Sequence, residues 1–300
     1  MRTPLLTVIV TSYNYKKFLS ENLNSLVVQW SEENPFNILV FDDGSTDGSL
    51  ALLEQYKNKY SFISVMTHPG HTNRGIAETV KAAVEIVTSP WTAFLESDDL
   101  SQPDSIKRLV SLLSTDAGLV FYDIQPLGLD NNRPSWFYSY VPRIRSLMLS
   151  LGAQEQPKML DCKILEENLI ATFSCVAVRT TLLRHADFTC PVPEWIDWYL
   201  WIQICQKTKV LFVDEKLVKW RIHSDSLNQK KQIGTYLIKY KLFRKSVRKV
   251  LLNSEIKNKS YKIAYLSFPS FVPLFLRFLR MSQYKGFKYV FEQIKGRLLQ

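Results

Sequence analysis

Cysteine is scarce in this 300-residue chain and never clustered. Cys162, Cys175, Cys190 and Cys205 stand far apart without a C-x-x-C pair, which excludes a zinc knuckle or a disulfide scaffold and fits a reduced, cytosolic compartment. A run of roughly 20 apolar residues, the length a membrane span needs, is also missing. The most apolar late segment, Ala264 to Leu279, is only 16 residues long and is broken by Pro269, Pro273 and Arg277, so an interfacial location is expected rather than a span. Met1-Arg2-Thr3-Pro4 passes straight into a strand-like run with no apolar leader, and no export is expected. Internal repeats and low-complexity linkers are absent. Acidic residues, finally, almost vanish from the last quarter of the chain.

That last scarcity splits the formal charge of +10 into two unlike parts. Residues 226–300 hold 17 basic and two acidic residues, Glu255 and Glu292, for a net of +15; residues 1–225 hold 21 basic and 26 acidic ones, for a net of −5. The chain reads as an acidic body with a basic tail. With 46% hydrophobic and 22% charged residues, dominant disorder is excluded, and the length suits one large α/β domain or two modest ones.

Leu5 to Val10 is a continuous aliphatic run followed by the polar loop Thr11-Ser12-Tyr13-Asn14 and a helical stripe of Phe18, Leu19, Leu23, Leu26 and Val27. The pattern repeats with a strand at Asn37 to Phe41, the loop Asp42 to Gly48, and a helix opened by Leu50, Leu53 and Tyr56. A third strand at Phe62 to Thr67 leads through a loop with Pro69, Gly70 and Gly75 to a helix ending near Val87, then to a strand at Trp91 to Leu95. Strands apolar on both faces and alternating with helices predict a mostly parallel sheet covered on both sides. Beyond it, Leu119 to Asp123 and Ser174 to Arg179 read as strands, Pro193 to Gln206 as a loop entering a helix, and Val210 to Val213 with Val218 to His223 as a strand pair. From Thr235 the period is helical, with Tyr236, Tyr240, Phe243, Val247, Val250 and Leu251 on one stripe and Lys241, Arg244, Lys245 and Arg248 on another. Phe287, Val290, Phe291, Ile294 and Leu298 repeat the apolar stripe.

In such sheets ligands bind beyond the carboxyl ends of the strands. Five carboxylates, Asp42, Asp43, Glu96, Asp98 and Asp99, would gather there, where like charges repel unless something cationic or hydrogen-bonding is bound. Oxygen ligands point to Mg2+ or Mn2+, with substrate phosphates completing the shell.

Four blocks in order carry a resemblance. Thr7 to Asn14 resembles the first strand and nucleotide-contacting loop of the family 2 glycosyltransferases, which have the GT-A fold and mostly act by inversion. Val40-Phe-Asp-Asp-Gly-Ser-Thr-Asp47 is similar to the family's most distinctive block, and Phe94-Leu-Glu-Ser-Asp-Asp99 stands where its D-x-D metal motif belongs. Ile196-Asp-Trp-Tyr-Leu-Trp201 and Trp220-Arg-Ile-His-Ser-Asp-Ser226 resemble the acceptor-side motif with the catalytic base and the segment that closes the site. The resemblance implies a GT-A-like, Rossmann-type, mostly parallel sheet flanked by helices over residues 1–225. About 1–100 would form the nucleotide-sugar half and about 101–225 the acceptor side, followed by a basic amphipathic helical tail over 226–300.

It also implies roles. Thr11 and Tyr13 flank the base, Asp43 contacts base or ribose beside Asp42, and Asn73, Arg74 and Gly75 border the pocket. Asp98, Asp99 or both hold the metal that neutralises the leaving diphosphate, and the two readings stay open. Glu96 replaces the first Asp of the motif and, one methylene longer, is expected at the ribose or a metal-bound water. His223 is expected at the metal or diphosphate, and Arg221, on the same strand face, at the diphosphate. Asp197 is the expected general base, with Glu194 a weaker alternative. Each acidic block also has a bland reading as a helix cap, which is the one taken for Asp47. Val80, Lys81 and Ala83 depart from the family's Arg, Asn and Gly.

The expected partners are a nucleotide diphosphate sugar, a saccharide or lipid-linked acceptor, and an anionic membrane met by residues 226–300 on the cytoplasmic face. Nucleic acid is not expected, although the basic tail keeps such a binder as a rival, as Glu96 keeps a catalytically silent sugar-nucleotide module. A sugar-nucleotide pyrophosphorylase would need a Gly-rich basic loop after the first strand, and Thr11 to Asn14 has no glycine. The Q-x-x-R-W motif of processive synthases is absent, which favours transfer of a single sugar.

Overall fold

Leu6, Val8, Ile9 and Val10 are buried on both faces of the first strand, β1 (Leu6–Ser12). A strand that is apolar in every position must lie inside a covered sheet, and β1 does, paired in parallel with β2 (Asn37–Asp42) on one side and β4 (Trp91–Phe94) on the other. The structure is a computed structural model and describes residues 3–128, 135–160, 163–223 and 236–252.

The chain order builds two kinds of unit. In the first, β1, α1 (Lys16–Val27), β2, α2 (Ser49–Lys59), β3 (Ile63–Thr67), α3 (Ile76–Ile86) and β4 alternate. Their strands run parallel in the order β3-β2-β1-β4. In the second, β5 (Leu100–Ser101), α4 (Ser105–Leu112), β6 (Leu119–Leu127), α5 (Ser135–Ser150), α6 (Lys163–Glu166), β7 (Val176–Arg179), α7 (Thr180–Arg184), α8 (Ile196–Cys205), β8 (Val210–Arg221) and α9 (Tyr236–Leu252) extend the same sheet. The full order is β3-β2-β1-β4-β7-β6-β8-β5. The sheet is mostly parallel, as the alternation predicts, but β7 runs antiparallel to both β4 and β6, and β5 runs antiparallel to β8. The expected strand pair at 210–213 and 218–223 is one bent strand instead. β8 stays paired with β6 across register shifts at Tyr122 to Ile124, so exposed Asp214 and Glu215 sit on a bulge rather than in a hairpin turn.

Two helices, α8 and α9, pack together beside the second half of the sheet. In α8 every residue is buried except Asp197, because a helix that is apolar all round belongs to the core. Against it lies α9, whose Tyr240, Phe243, Val247 and Leu251 are buried. Phe243 stacks on Trp198 at 4.8 Å and meets Trp195 edge-on at 5.3 Å. The aromatic stripe of α9 is therefore used for packing on the body. Its basic stripe is also divided: Lys241 and Lys245 are exposed, whereas Arg244 is buried, contrary to the sequence pattern. Cys162, residues 224–235, and the rest of the tail from 253 to 300 with its expected last helix lie outside the described residues.

Candidate active site

The carboxyl ends of β1, β2 and β4 bring the three polar loops together. Asn14, at the end of the first, has a left-handed backbone with φ 55°. Its amide donates to Ser45 Oγ at 2.9 Å and its side-chain oxygen accepts the Thr46 amide at 2.8 Å, which ties the first loop to the second. Thr11 is part-buried and Tyr13 is 47% exposed.

In the second loop both carboxylates turn inward. Asp42 accepts the Ser45 amide at 2.8 Å and the Ser45 hydroxyl at 2.6 Å, and its Oδ1 lies 3.0 Å from His71 Nε2. Asp43 accepts the amides of Arg74 and Gly75, one on each oxygen, at 2.7 and 2.9 Å, with His68 Nε2 at 3.4 Å. Gly44 lies between them with φ 77°, and a Cβ there would come within 2.7 Å of backbone atoms of Thr72 and Asn73. Only glycine lets the β3–α3 loop pass so close. Asp47 accepts both the amide and the hydroxyl of Ser49 at the start of α2 and, on its other oxygen, the amide of Lys16 at the start of α1. It holds two helix starts.

The third loop is electrostatically different. Glu96 is pushed up to about 8, first by burial and then by the Asp98 charge, with a smaller push from Asp197, while a bond from the Thr172 hydroxyl opposes them. Asp99 is fully buried and raised well above an ordinary carboxylate by burial and by the charges of Asp98 and Glu96, only partly offset by Ser174 and by the Arg221 amide, which donates to its Oδ1 at 2.8 Å. Asp98 Oδ2 meets His223 Nε2 at 2.9 Å. His223 lies just past β8, packed on Phe18 and Tyr15, and its Nδ1 is buried without a hydrogen-bond partner.

Arg221 does not stand open to a diphosphate, as its strand position had predicted. Its Nε donates to the Asp98 carbonyl at 2.7 Å, Nη2 pairs with Glu21 at 2.5 Å, and the guanidinium lies over Phe18 at 4.7 Å. It braces the loop that carries Asp98 and Asp99. Asp197 accepts a bond from Asn168 Nδ2 at 2.8 Å. Glu194, the weaker alternative base, is ion-paired with Lys239 of α9.

The supporting residues were the ones without a sequence signal. Asn22, buried in the apolar stripe of α1, donates to the carbonyls of Glu96 and Asp99 at 2.9 and 2.8 Å. Ser174 Oγ accepts the Glu96 amide at 2.8 Å. A polar side chain in the middle of an apolar helix face was the one available hint at Asn22. His68, His71, Asn168, Thr172 and Ser174 had none.

An order of β3-β2-β1-β4 with acidic loops at the carboxyl edge and an antiparallel β7 beside β4 defines the class: a mixed α/β domain of GT-A-like architecture. The chain belongs to glycosyl transferase family 2, whose model matches residues 7–184. A poly(ribitol-phosphate) β-N-acetylglucosaminyltransferase, TarS of Staphylococcus aureus (strain MW2), is 27% identical over 187 residues, covering 62% of this chain and 29% of its own. The chain thus spans less than a third of that relative's length. Among solved structures, residues 1–349 of S. aureus TarS in complex with UDP-GlcNAc superpose with a TM-score of 0.62 at 17% identity, over 87% of this chain and 70% of that one. The mannosyltransferase PcManGT from Pyrobaculum calidifontis, in complex with GDP-Man and Mn2+, gives a TM-score of 0.58 at 15% identity, over 98% and 85%. At such identities the superpositions speak for the fold. The family match ends before Asp197, Arg221 and His223, so those residues rest on geometry.

Proposed function

We propose that this chain transfers a single sugar from a nucleotide diphosphate sugar to a hydroxyl of a saccharide or lipid-linked acceptor, with inversion. The observation that carries the reading is the acidic edge at the carboxyl end of β4, where Asp98, 2.9 Å from His223, stands on the same loop as Glu96 and buried Asp99, inside the residues that the family model matches. An inverting transfer needs a base on the side opposite the leaving group, and this reading gives the leaving-group side to the Asp98 loop and the base side to Asp197 on α8. The nucleotide complexes of the two solved neighbours support the donor class, and the poly(ribitol-phosphate) acceptor that TarS is named for supports transfer to a hydroxyl.

In this mechanism Asp197 takes the proton of the acceptor hydroxyl as its oxygen forms a bond to the anomeric carbon. The bond from that carbon to the β-phosphate oxygen breaks, and its electron pair leaves with the nucleoside diphosphate. Asn168 donates to Oδ2 of Asp197 and orients the carboxylate. Tyr13 and Thr11 meet the nucleoside, with Asp42 and Asp43 forming the wall beneath it, and Glu96 meets the ribose side. Arg221 acts through the Asp98–Asp99 loop.

The acidic loop fits a divalent cation. Asp98 Oδ2 and His223 Nε2 lie 2.9 Å from each other, one oxygen and one nitrogen on adjacent groups, and burial followed by the Asp98 charge raises Glu96 and Asp99 beside them. Among the described residues no three His, Cys, Asp or Glu side chains form a ready metal cage, and Mg2+ characteristically uses few protein ligands and completes its shell with phosphates and water. Bound by Asp98 and His223, with Asp99 close by, Mg2+ or Mn2+ would supply Lewis-acid neutralisation of the departing diphosphate.

Asp197→Asn keeps the Asn168 contact but cannot take a proton. It is expected to bind donor normally and to lose about 10²- to 10⁴-fold in turnover, measured as sugar transfer under saturating donor. Near-normal turnover would remove Asp197 from the base position.

The outward face of α9 supports contact with an anionic membrane. Ile238 and Leu252, 64% and 65% exposed, and Leu242 at 46% alternate with exposed Lys241, Lys245 and Lys249, and the helix has no acidic residue. No helix among the described residues is long and apolar enough to cross a membrane. The chain should sediment with anionic vesicles and not with neutral ones, and replacing the three lysines by Gln should weaken that binding. Unchanged sedimentation would take α9 out of the contact.

A further inference from the structure

Two histidines of the β3–α3 loop are set against the two buried carboxylates of the β2 loop, and neither belongs to the motifs that identify the family. His68, 4% exposed, lies within 3.4 Å of Asp43 and 3.1 Å of Thr79 Oγ1 on α3, with its ring against Phe41. It is part of the interior. His71 is different: its side chain is 34% exposed while its partner, Asp42, is 0% exposed. It also holds a left-handed backbone, φ 50°, directly after Gly70 at φ 73°. A non-glycine residue in that region persists only where its surroundings impose it. Here the imposing contacts are the Nε2 bond to Asp42 and the passage of residues 71–73 across Gly44.

The consequence runs to the nucleotide side of the cleft. Immediately after His71, the amides of Arg74 and Gly75 are fixed by Asp43, and Asn14 and Ser45 join the same edge to the loop carrying Tyr13. An anchor on Asp42 thus sets where the β3–α3 loop lies relative to the exposed Tyr13. We propose that His71 is a positioning residue for the donor: by donating from Nε2 to the buried Asp42 carboxylate, it fixes the loop wall against which the nucleobase is held. It takes no part in the transfer itself. The proposal rests on the nucleotide-sugar reading above.

The site makes a distinctive demand on substitution. Gln carries an N–H donor at roughly the reach of imidazole Nε2, whereas Ala has none. Losing a hydrogen bond to a charged, buried acceptor should weaken nucleotide binding by about tenfold or more. The experiment is calorimetry of the full chain with UDP, GDP and dTDP, each with Mn2+, followed by steady-state kinetics with the corresponding sugar donor. The wild-type chain should bind at least one of the three. His71→Ala should raise both its Kd and the donor KM by about tenfold or more while kcat at saturation stays within about twofold, and His71→Gln should recover most of the loss. Equal nucleotide affinity in His71→Ala, a fall in kcat without a change in KM, or a His71→Gln variant no better than Ala would each overturn the assignment. If the wild-type chain bound none of the three nucleotides, the donor reading itself would fall, and this proposal with it.

Discussion

The loops after β2 and β4 leave the same edge of the same sheet, carry the same kind of residue and have opposite electrostatic characters. Asp42 and Asp43 accept hydrogen bonds from backbone amides and a hydroxyl and face two imidazoles. Asp99 is buried and Glu96 half-buried beside Asp98, and both are pushed upward, Glu96 to about 8. A buried carboxylate supplied with donors is a scaffold, because the protein itself satisfies it. A buried carboxylate crowded by like charge is a site awaiting something positive. On the proposed function the two loops divide the work: the first would shape the wall for a nucleoside, and the second would collect charge for a cation and a diphosphate.

The division is broken most directly at Asp98. Asp98→Ala should leave the fold intact, since the Arg221 Nε bond goes to the Asp98 backbone carbonyl and the Arg221 amide bond goes to Asp99. Losing a cation that contributes several kcal/mol to the leaving group should cut turnover by about 10³-fold or more. Chelation of the wild-type chain should do the same, with Mg2+ or Mn2+ restoring activity. Mn2+ should also raise the melting temperature of the wild type and not that of Asp98→Ala. Full turnover in a chelator would take the cation out of the second loop and leave its surplus charge unexplained.

How much of this the sequence displayed depends on the kind of feature. Strands β1 to β4 were legible because each is a block of apolar residues followed by a polar loop, and the order of such blocks implies a parallel sheet. The reversed direction of β7 was not legible, since Val176 to Arg179 has the same composition as a parallel strand. Nor was the continuity of β8, because Asp214 and Glu215 on a bulge look like a turn. The acidic residues that gather at the carboxyl edge of the sheet could be picked out by type and spacing. Most of their partners could not: Asn168, Thr172 and Ser174 come from remote parts of the chain and are ordinary residues until folding sets them against the acidic residues, and only Asn22 carried a hint, as a polar residue in an apolar stripe. Arg221 shows the limit most clearly. Strand alternation put it on the correct face beside His223, but only the packing on Phe18 and the pairing with Glu21 reveal that it holds the loop.

The smallest expected effect tests the scaffold loop at its last carboxylate. Partial burial alone would raise Asp47, but the bonds from the Ser49 hydroxyl and from the Ser49 and Lys16 amides outweigh it and hold it below its ordinary 3.8. A carboxylate lowered in the folded state adds stability above its unfolded value, and that contribution is lost as the pH falls through 3.8 toward the lower folded value. Asp47→Ala should thus cost about 1 kcal/mol at neutral pH, the usual loss for a capping side chain, read as a melting temperature lower by about 2 to 4 °C. The gap between wild type and variant should close as the pH drops below 3.8. Asp47→Asn, which keeps one acceptor oxygen and has no charge to titrate, should show a smaller gap with little pH dependence. A gap in the Ala variant that stayed constant down to pH 3 would mean that Asp47 serves by shape alone, and the contrast between the loops would then rest on Asp42 and Asp43.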